Sequence, residues 1–134
     1  MKSIIAIMIV VSLAACATKE DTITQDVEQA VRDFIAVREM EGADKIRTAN
    51  SDHWEAIDQN FIIYKKRNET YLVEFARTCR ELDQYPVVAD VRNGNEIRAR
   101  FDTIRGCRVA AIYLLTEGEI AELEAIGESP GSRN

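Results

Sequence analysis

After residue 44 the chain is divided into short runs of aromatic and β-branched residues, and this pattern constrains the possible folds more than any other feature of the sequence. The runs are HWEAI, FIIYK, TYLVEF, VVADV, EIRARF and CRVAAIYLL, and segments such as DQN, KKRNE and NGN lie between them. Short runs of this composition between turn-forming residues are typical of antiparallel strands, so we expect a sheet of about five or six short, curved strands.

The segment VVADVRNGNEIRARF, residues 87–101, indicates a hairpin whose loop length follows from its register. A two-residue Asn-Gly loop is common in hairpins, but here it would mix apolar and charged side chains on each face. A slip of one residue moves every side chain of a strand to the other face. We therefore predict the three-residue loop NGN, which pairs Val91 with Ile97, Ala89 with Ala99, Val87 with Phe101, Asp90 with Arg98 and Arg92 with Glu96.

A helix is predicted before the strand region. Thr22-x-x-Gln25 resembles a capping box, and apolar residues follow it in steps of three and four, as on one face of a helix. We predict a helix over about 23–40, with Gly42 as its stop. The apolar face contains Ile23, Val27, Ala30, Val31, Phe34 and Val37.

A second, short helix is predicted near the C-terminus, because Thr116-x-x-Glu119 is another capping box followed by GEIAELEAI. The elements together predict the α+β class: an N-terminal helix, an antiparallel sheet and a C-terminal helix. We place them in a single domain, residues 23–127, followed by a disordered tail, residues 128–134.

The first 15 residues have the layout of a secretory signal peptide. Lys2 supplies a positive start, an apolar run from Ile4 to Leu13 follows, and two alanines precede a cleavage site. The run is too short for a transmembrane helix, which needs about 20 residues. A buried core helix is the alternative, but the charged stretch that follows at once disfavours it. We predict that residues 1–15 are a signal peptide.

The sequence LAAC, ending at Cys16, resembles the lipobox of bacterial lipoproteins. The resemblance implies cleavage before Cys16, diacylation of its sulfur and usually acylation of the new amine. Two or three acyl chains anchor a domain firmly, whereas one chain binds a membrane only marginally. Residue 17 is Ala and not the Asp that usually retains proteobacterial lipoproteins at the inner membrane. We therefore expect an outer-membrane location on the periplasmic face, with residues 16–22 as a tether.

Lipidation of Cys16 leaves two cysteines, Cys79 and Cys107, in an oxidising compartment. We predict that they form a disulfide closing a loop of about 29 residues. Two buried thiols and half of a metal site are the alternatives. Zinc takes four ligands at characteristic spacing, whereas this sequence has no CxxC motif and His53 is its one histidine. We predict neither a metal nor a cofactor.

The charge of the chain argues against nucleic acid as a partner. Residues 16–134 contain 16 basic and 23 acidic residues, a net charge of −7. Phosphate backbones attract Lys and Arg, and an acidic chain gains little from them. Anionic headgroups would also attract the chain as a whole only weakly, so we expect the lipid anchor to provide its membrane affinity.

The order of several motifs resembles a known family. RDF in the first helix precedes W-x-x-I-D, YLVEFARTC, FDTIRGC and IYLL, over about residues 30–115. These residues, with the lipobox, are similar to a family of small proteobacterial lipoproteins known only as a domain of unknown function. The resemblance implies an exported, lipid-anchored domain with paired cysteines. It carries over no catalytic residue.

Two single residues, His53 and Asp102, are candidate catalytic groups. His53 would need a nucleophile or water and an orienting partner to act as a general base, and no GxSxG, HExxH or glycine-rich phosphate loop accompanies it. A strand or loop histidine with a hydrogen-bond partner is the favoured interpretation. Asp102 could be a functional acid, but an Asp at a strand end commonly accepts hydrogen bonds from backbone amides in a turn. We predict no catalytic residue.

Arginine is concentrated in residues 77–108, which contain seven arginines, no lysine and five acidic residues. Arginine suits bidentate recognition of carboxylate or phosphate, such as lipopolysaccharide phosphates or peptidoglycan carboxylates. The candidate anion-binding residues are Arg77, Arg80, Arg100, Arg105 and Arg108. The leading functional prediction is a non-catalytic lipoprotein that binds another envelope component. A small-ligand or anion-binding lipoprotein is the first alternative, and a hydrolase is the second.

Overall fold

The protein folds into two helices and two antiparallel sheets, in a computed structural model that describes residues 19–49, 52–83 and 95–128. The predicted α+β class is confirmed. In chain order the elements are α1 (Lys19–Val37), β1 (Lys45–Arg47), β2 (His53–Ala56), β3 (Phe61–Lys65), β4 (Thr70–Phe75), a 3-10 helix (Arg80–Asp83), β5 (Glu96–Arg98), β6 (Thr103–Ile104), β7 (Cys107–Leu115) and α2 (Glu117–Gly127).

The main sheet has five antiparallel strands in the order β2-β3-β4-β7-β6, while β1 and β5 form a separate two-stranded sheet. The centre is the pairing of β4 with β7, in which Val73 faces Ile112. The register shifts between Glu74 and Phe75, and a bulge of this kind increases the local twist. The predicted antiparallel sheet of short, curved strands is therefore present.

Both faces of the main sheet are buried. The helices cover one face, where the core residues are Val27, Val31, Phe34, Ile57, Phe61, Ile63, Leu72, Leu115 and Leu123. The two-stranded sheet and the 3-10 helix cover the other face, through Ile46, Ile97 and Leu82. The alternation predicted for TYLVEF is confirmed, because Tyr71, Val73 and Phe75 lie on this second face. Burying one such large apolar side chain contributes roughly 1.5–3 kcal/mol.

Helix α1 differs from its predicted bounds at both ends. It begins at Lys19, so Thr22 and Gln25 lie inside the helix and do not cap it. It ends at Val37, because Glu39 adopts a left-handed conformation with φ 49° and Met40 N donates to Ile35 O at 3.3 Å. This bond is characteristic of a Schellman motif, whose left-handed residue, here Glu39, is usually a Gly. Gly42 is not the stop.

Helix α2 begins at the predicted capping box. Glu119 N donates to the Thr116 side chain, and the Glu119 carboxylate accepts from Thr116 N at 2.8 Å. The capping prediction is confirmed, and Leu123 is the helix residue buried in the core.

The strand predicted as EIRARF ends early, at Arg98. Arg100 has φ 70°, and Asp102 N donates to Arg98 O at 3.1 Å, so residues 98–102 form a turn. Phe101, expected to point inward, is 74% exposed. The first strand of the predicted hairpin lies outside the described residues. Strand β5 is paired with β1, a pairing that the sequence pattern does not predict.

No helix among the described residues is long and apolar enough to cross a membrane.

Candidate functional site

The candidate site is the end of the main sheet where β4 finishes and β7 begins. Cys79 and Cys107 are joined there by a disulfide, with their Cα atoms 5.8 Å apart, which fits the predicted pairing. Ala76 N donates to Arg108 O at 2.9 Å, and Cys79 N donates to Gln59 O at 2.7 Å. The disulfide and the bond to Arg108 hold the segment after β4 against the start of β7, and the bond to Gln59 ties the same segment to the loop before β3.

The disulfide lies beside a carboxylate. An oxygen of Glu81 is 3.2 Å from the sulfur of Cys107, a contact without a hydrogen bond because a disulfide sulfur carries no proton. The two sulfurs and the Glu81 carboxylate all lie within 4.8 Å of one another. A metal takes cysteine as a thiolate, so in the disulfide form this group offers one carboxylate and no cysteine ligand.

Two turns complete this end of the sheet. Arg105 and Gly106 connect β6 to β7, with φ 53° and 79°; two successive left-handed residues are the requirement of a type I′ hairpin turn. The turn at residues 98–102 is fastened to β7, because Arg100 N donates to Val109 O at 2.8 Å and Val109 N donates to Asp102 O at 3.0 Å.

The fold brings all five candidate arginines to this end. Arg77 and Arg80 lie on either side of the disulfide residue Cys79. Arg105 and Arg108 belong to the β6–β7 hairpin, and Arg100 is on the turn at residues 98–102. We define the segments 77–83 and 98–108 as the arginine-rich end. It contains six arginines and three acidic residues, a net charge of +3, whereas the remainder of the chain has a net charge of −9.

The arginines differ in their partners. Arg77 Nη2 lies 3.6 Å from Glu81 Oε1, and Arg98 Nε lies 3.2 Å from Asp102 Oδ2. Within the described parts of the chain, Arg80, Arg100 and Arg108 form no ion pair, and all three are exposed.

Three guanidinium groups are therefore free to bind an external anion, while Arg105 is partly buried. Arg98, which is not among the five candidates, is also exposed at this end.

Asp102 has the structural role favoured from the sequence. Its side chain accepts from Arg98 N at 2.8 Å as well as from Arg98 Nε. The carboxylate also raises the pKa of Arg98, first through this hydrogen bond and then through its charge. Asp102 thus fixes the turn that presents Arg100 and Phe101.

His53 lies on the opposite edge of the main sheet from Asp102 and the β6–β7 hairpin. It is exposed at the start of β2, the edge strand, and pairs with Lys65 of β3. The structure does not bring His53 and Asp102 together, because β3, β4 and β7 separate their strands.

A cavity of about 250 Å³ lies at the β2 edge, where α2 ends. Its charged groups include Glu55 and Glu124, and both already bind Lys65 Nζ, at 3.3 and 2.8 Å. None of the five candidate arginines lines this cavity.

A family model described as "Family of unknown function (DUF6491)" matches residues 1–127. Neither a curated protein nor a solved structure matches the chain.

Proposed function

The chain belongs to this family of unknown function, and we propose that it is a non-catalytic lipoprotein of the cell envelope whose arginine-rich end binds anionic groups of another envelope component. The anchor is the acylated Cys16, and the location is the periplasmic face of the outer membrane. The observation that carries the binding role is the set of exposed arginines that form no ion pair with the described residues, Arg80, Arg100 and Arg108.

The charge distribution supports this role. The net charge of the chain is −6, so a local excess of +3 is opposite in sign to the rest of the molecule. Unpaired guanidinium groups at one end can each donate two parallel hydrogen bonds to a phosphate or carboxylate. The three exposed arginines keep this capacity because no carboxylate of the described chain occupies them.

The rigidity of this end also supports binding. A disulfide and backbone hydrogen bonds hold the arginine-bearing segments in place, so little backbone entropy has to be lost when a ligand binds, and the entropy cost falls mainly on the arginine side chains.

Thermal unfolding with inorganic pyrophosphate tests the anion-binding role. Arg100→Gln/Arg108→Gln removes two unpaired charges, and Lys66→Gln/Arg67→Gln removes two charges from the turn between β3 and β4, at the opposite end of the sheet. We expect pyrophosphate to raise the Tm of the wild type and of the control saturably, and to leave the first variant unchanged. Equal shifts in all three proteins would refute the role of this end.

Membrane fractionation of cells tests the anchor. The wild-type protein should incorporate labelled palmitate and sediment with outer membranes, while Cys16→Ser should incorporate none and appear in the soluble periplasmic fraction. Palmitate labelling that survives Cys16→Ser would contradict the assignment of the anchor.

A further inference from the structure

Two polar contacts fix the direction of α1 across the sheet. Arg38 Nη2 lies 2.6 Å from Glu122 Oε2 of α2, the helix that follows the C-terminal end of β7. Asn60 Nδ2 donates to Glu28 Oε2 at 3.0 Å, in the loop before β3. Traced from its C-terminus to its N-terminus, α1 therefore runs from the Leu115 end of the sheet toward the loop that contains Asn60.

That loop lies beside the arginine-rich end. Phe75 N, at the end of β4, donates to Asn60 O at 2.9 Å, and the disulfide residue Cys79 is bonded to Gln59. Helix α1 continues from Glu28 to Lys19, which adds about 13 Å in the same direction. The three further residues to Cys16 can span at most about 10 Å. The anchoring residue thus joins the domain at the arginine-rich end.

Phe101 is an exposed aromatic side chain at the same end. It is 74% exposed, on the turn that Asp102 and the bonds to Val109 hold in place. The guanidinium carbon of Arg98 lies 5.7 Å from the centre of its ring, and Arg100 precedes it in the chain. An aromatic ring among arginines suits a surface that offers both anionic groups and apolar chains.

We propose that the arginine-rich end binds the anionic surface of the membrane that holds the anchor, with Phe101 inserted among the headgroups. This inference rests on the proposed function and narrows its ligand to anionic lipid. The direction of α1, the local positive charge and the exposed ring all agree with this orientation. A protein or glycan partner would account for the arginines but would not require the anchor to join at this end.

Tryptophan quenching in vesicles tests the orientation. The mature protein, residues 16–134 acylated on Cys16, is reconstituted in phosphatidylcholine vesicles with and without phosphatidylglycerol, both with brominated acyl chains. The reporter is Phe101→Trp and the matched control is Leu114→Trp. Leu114 is also exposed, but it lies five residues along β7 from Val109, about 17 Å away. Trp54, the one natural tryptophan, is buried and supplies a constant background.

We expect the Phe101→Trp variant to lose fluorescence and shift its emission to the blue in the anionic vesicles, and to do so less in neutral ones. The Leu114→Trp variant should show neither change. Equal quenching of both variants, equal quenching in both lipids, or failure to associate with anionic vesicles would overturn the proposal. If Phe101→Trp is unquenched while pyrophosphate still stabilises only the proteins with Arg100 and Arg108, the lipid orientation is wrong and the anion-binding function stands.

Discussion

The disulfide is expected to contribute a large part of the stability of the domain. Cys79 and Cys107 are separated by 28 positions. In the chain-entropy model, closing a loop of that length lowers the entropy of the unfolded chain and so raises the free energy of unfolding by about 3.6 kcal/mol at 25 °C. Both cysteines are fully buried, so Cys79→Ala/Cys107→Ala also leaves a small cavity. We expect the free energy of unfolding to fall by about 3–5 kcal/mol, a large fraction of the stability of a typical domain.

Urea unfolding followed by Trp54 fluorescence measures this loss, because Trp54 is buried in the same core as the disulfide. Cys16→Ser is the control: it removes the third cysteine outside the described fold and should leave the unfolding free energy unchanged. A loss below about 1 kcal/mol in the double variant would refute the reasoning, since the loop-closure contribution alone exceeds that value.

Three further predictions concern single residues. Glu39→Gly should raise the free energy of unfolding by about 1 kcal/mol in urea titrations, because Gly adopts the left-handed conformation without strain, and a decrease would contradict the assigned helix end. Asp102→Ala should lower the unfolding free energy by about 1–3 kcal/mol by removing the acceptor for Arg98 N, whereas Asp102→Asn keeps an acceptor and should lose less; equal losses would contradict this. Burial raises the pKa of Asp58, and the charge of Glu28 adds to the shift. Folding therefore favours the protonated form of this carboxyl. Its contribution to stability is fully present below its unfolded pKa and is lost as the pH rises through its folded pKa. The Tm of the wild type relative to Asp58→Asn should therefore rise as the pH is lowered from neutral toward 4, and a difference that is constant or falls would refute the burial argument.

The elements that the sequence predicted well are those set by local chemistry. The alternation in TYLVEF decided its faces, because side chains in a strand alternate between the two faces of the sheet. The Thr116 cap was predictable since both partners of a capping box lie within four residues. Strand β1 has three residues, too few for a periodic pattern, and it forms through pairing with the distant β5.

The errors have tertiary causes. Helix α1 ends where Glu39 takes a conformation that sequence patterns assign to Gly. Phe101 was expected to face inward because EIRARF alternates like a strand, but the bonds between Asp102 and Arg98 turn the chain there. Both hydrogen bonds join residues 98 and 102, so the turn is local, but the alternation of apolar and charged residues in EIRARF favoured a continuous strand.

The composition of the candidate site was only partly predictable. The excess of arginine was visible in the sequence, but the partners were not. Arg98 and Glu96 were predicted to pair with Asp90 and Arg92; among the described residues, Arg98 is bonded to Asp102 and Glu96 binds Lys45 at 2.9 Å. Residues 90 and 92 lie outside the described residues. Which arginines remain unpaired depends on the disulfide and the two turns, and only the folded chain brings these together.

Retention on phosphocellulose tests the central claim most directly. A protein with a pI of about 4.9 is repelled overall by a polyanionic resin at pH 7, so binding requires a local positive surface. We predict that the wild type and Lys66→Gln/Arg67→Gln are retained at low salt and elute as salt screens the contact, while Arg100→Gln/Arg108→Gln passes through. Passage of the wild type, or identical elution of all three proteins, would contradict an anion-binding role for the arginine-rich end.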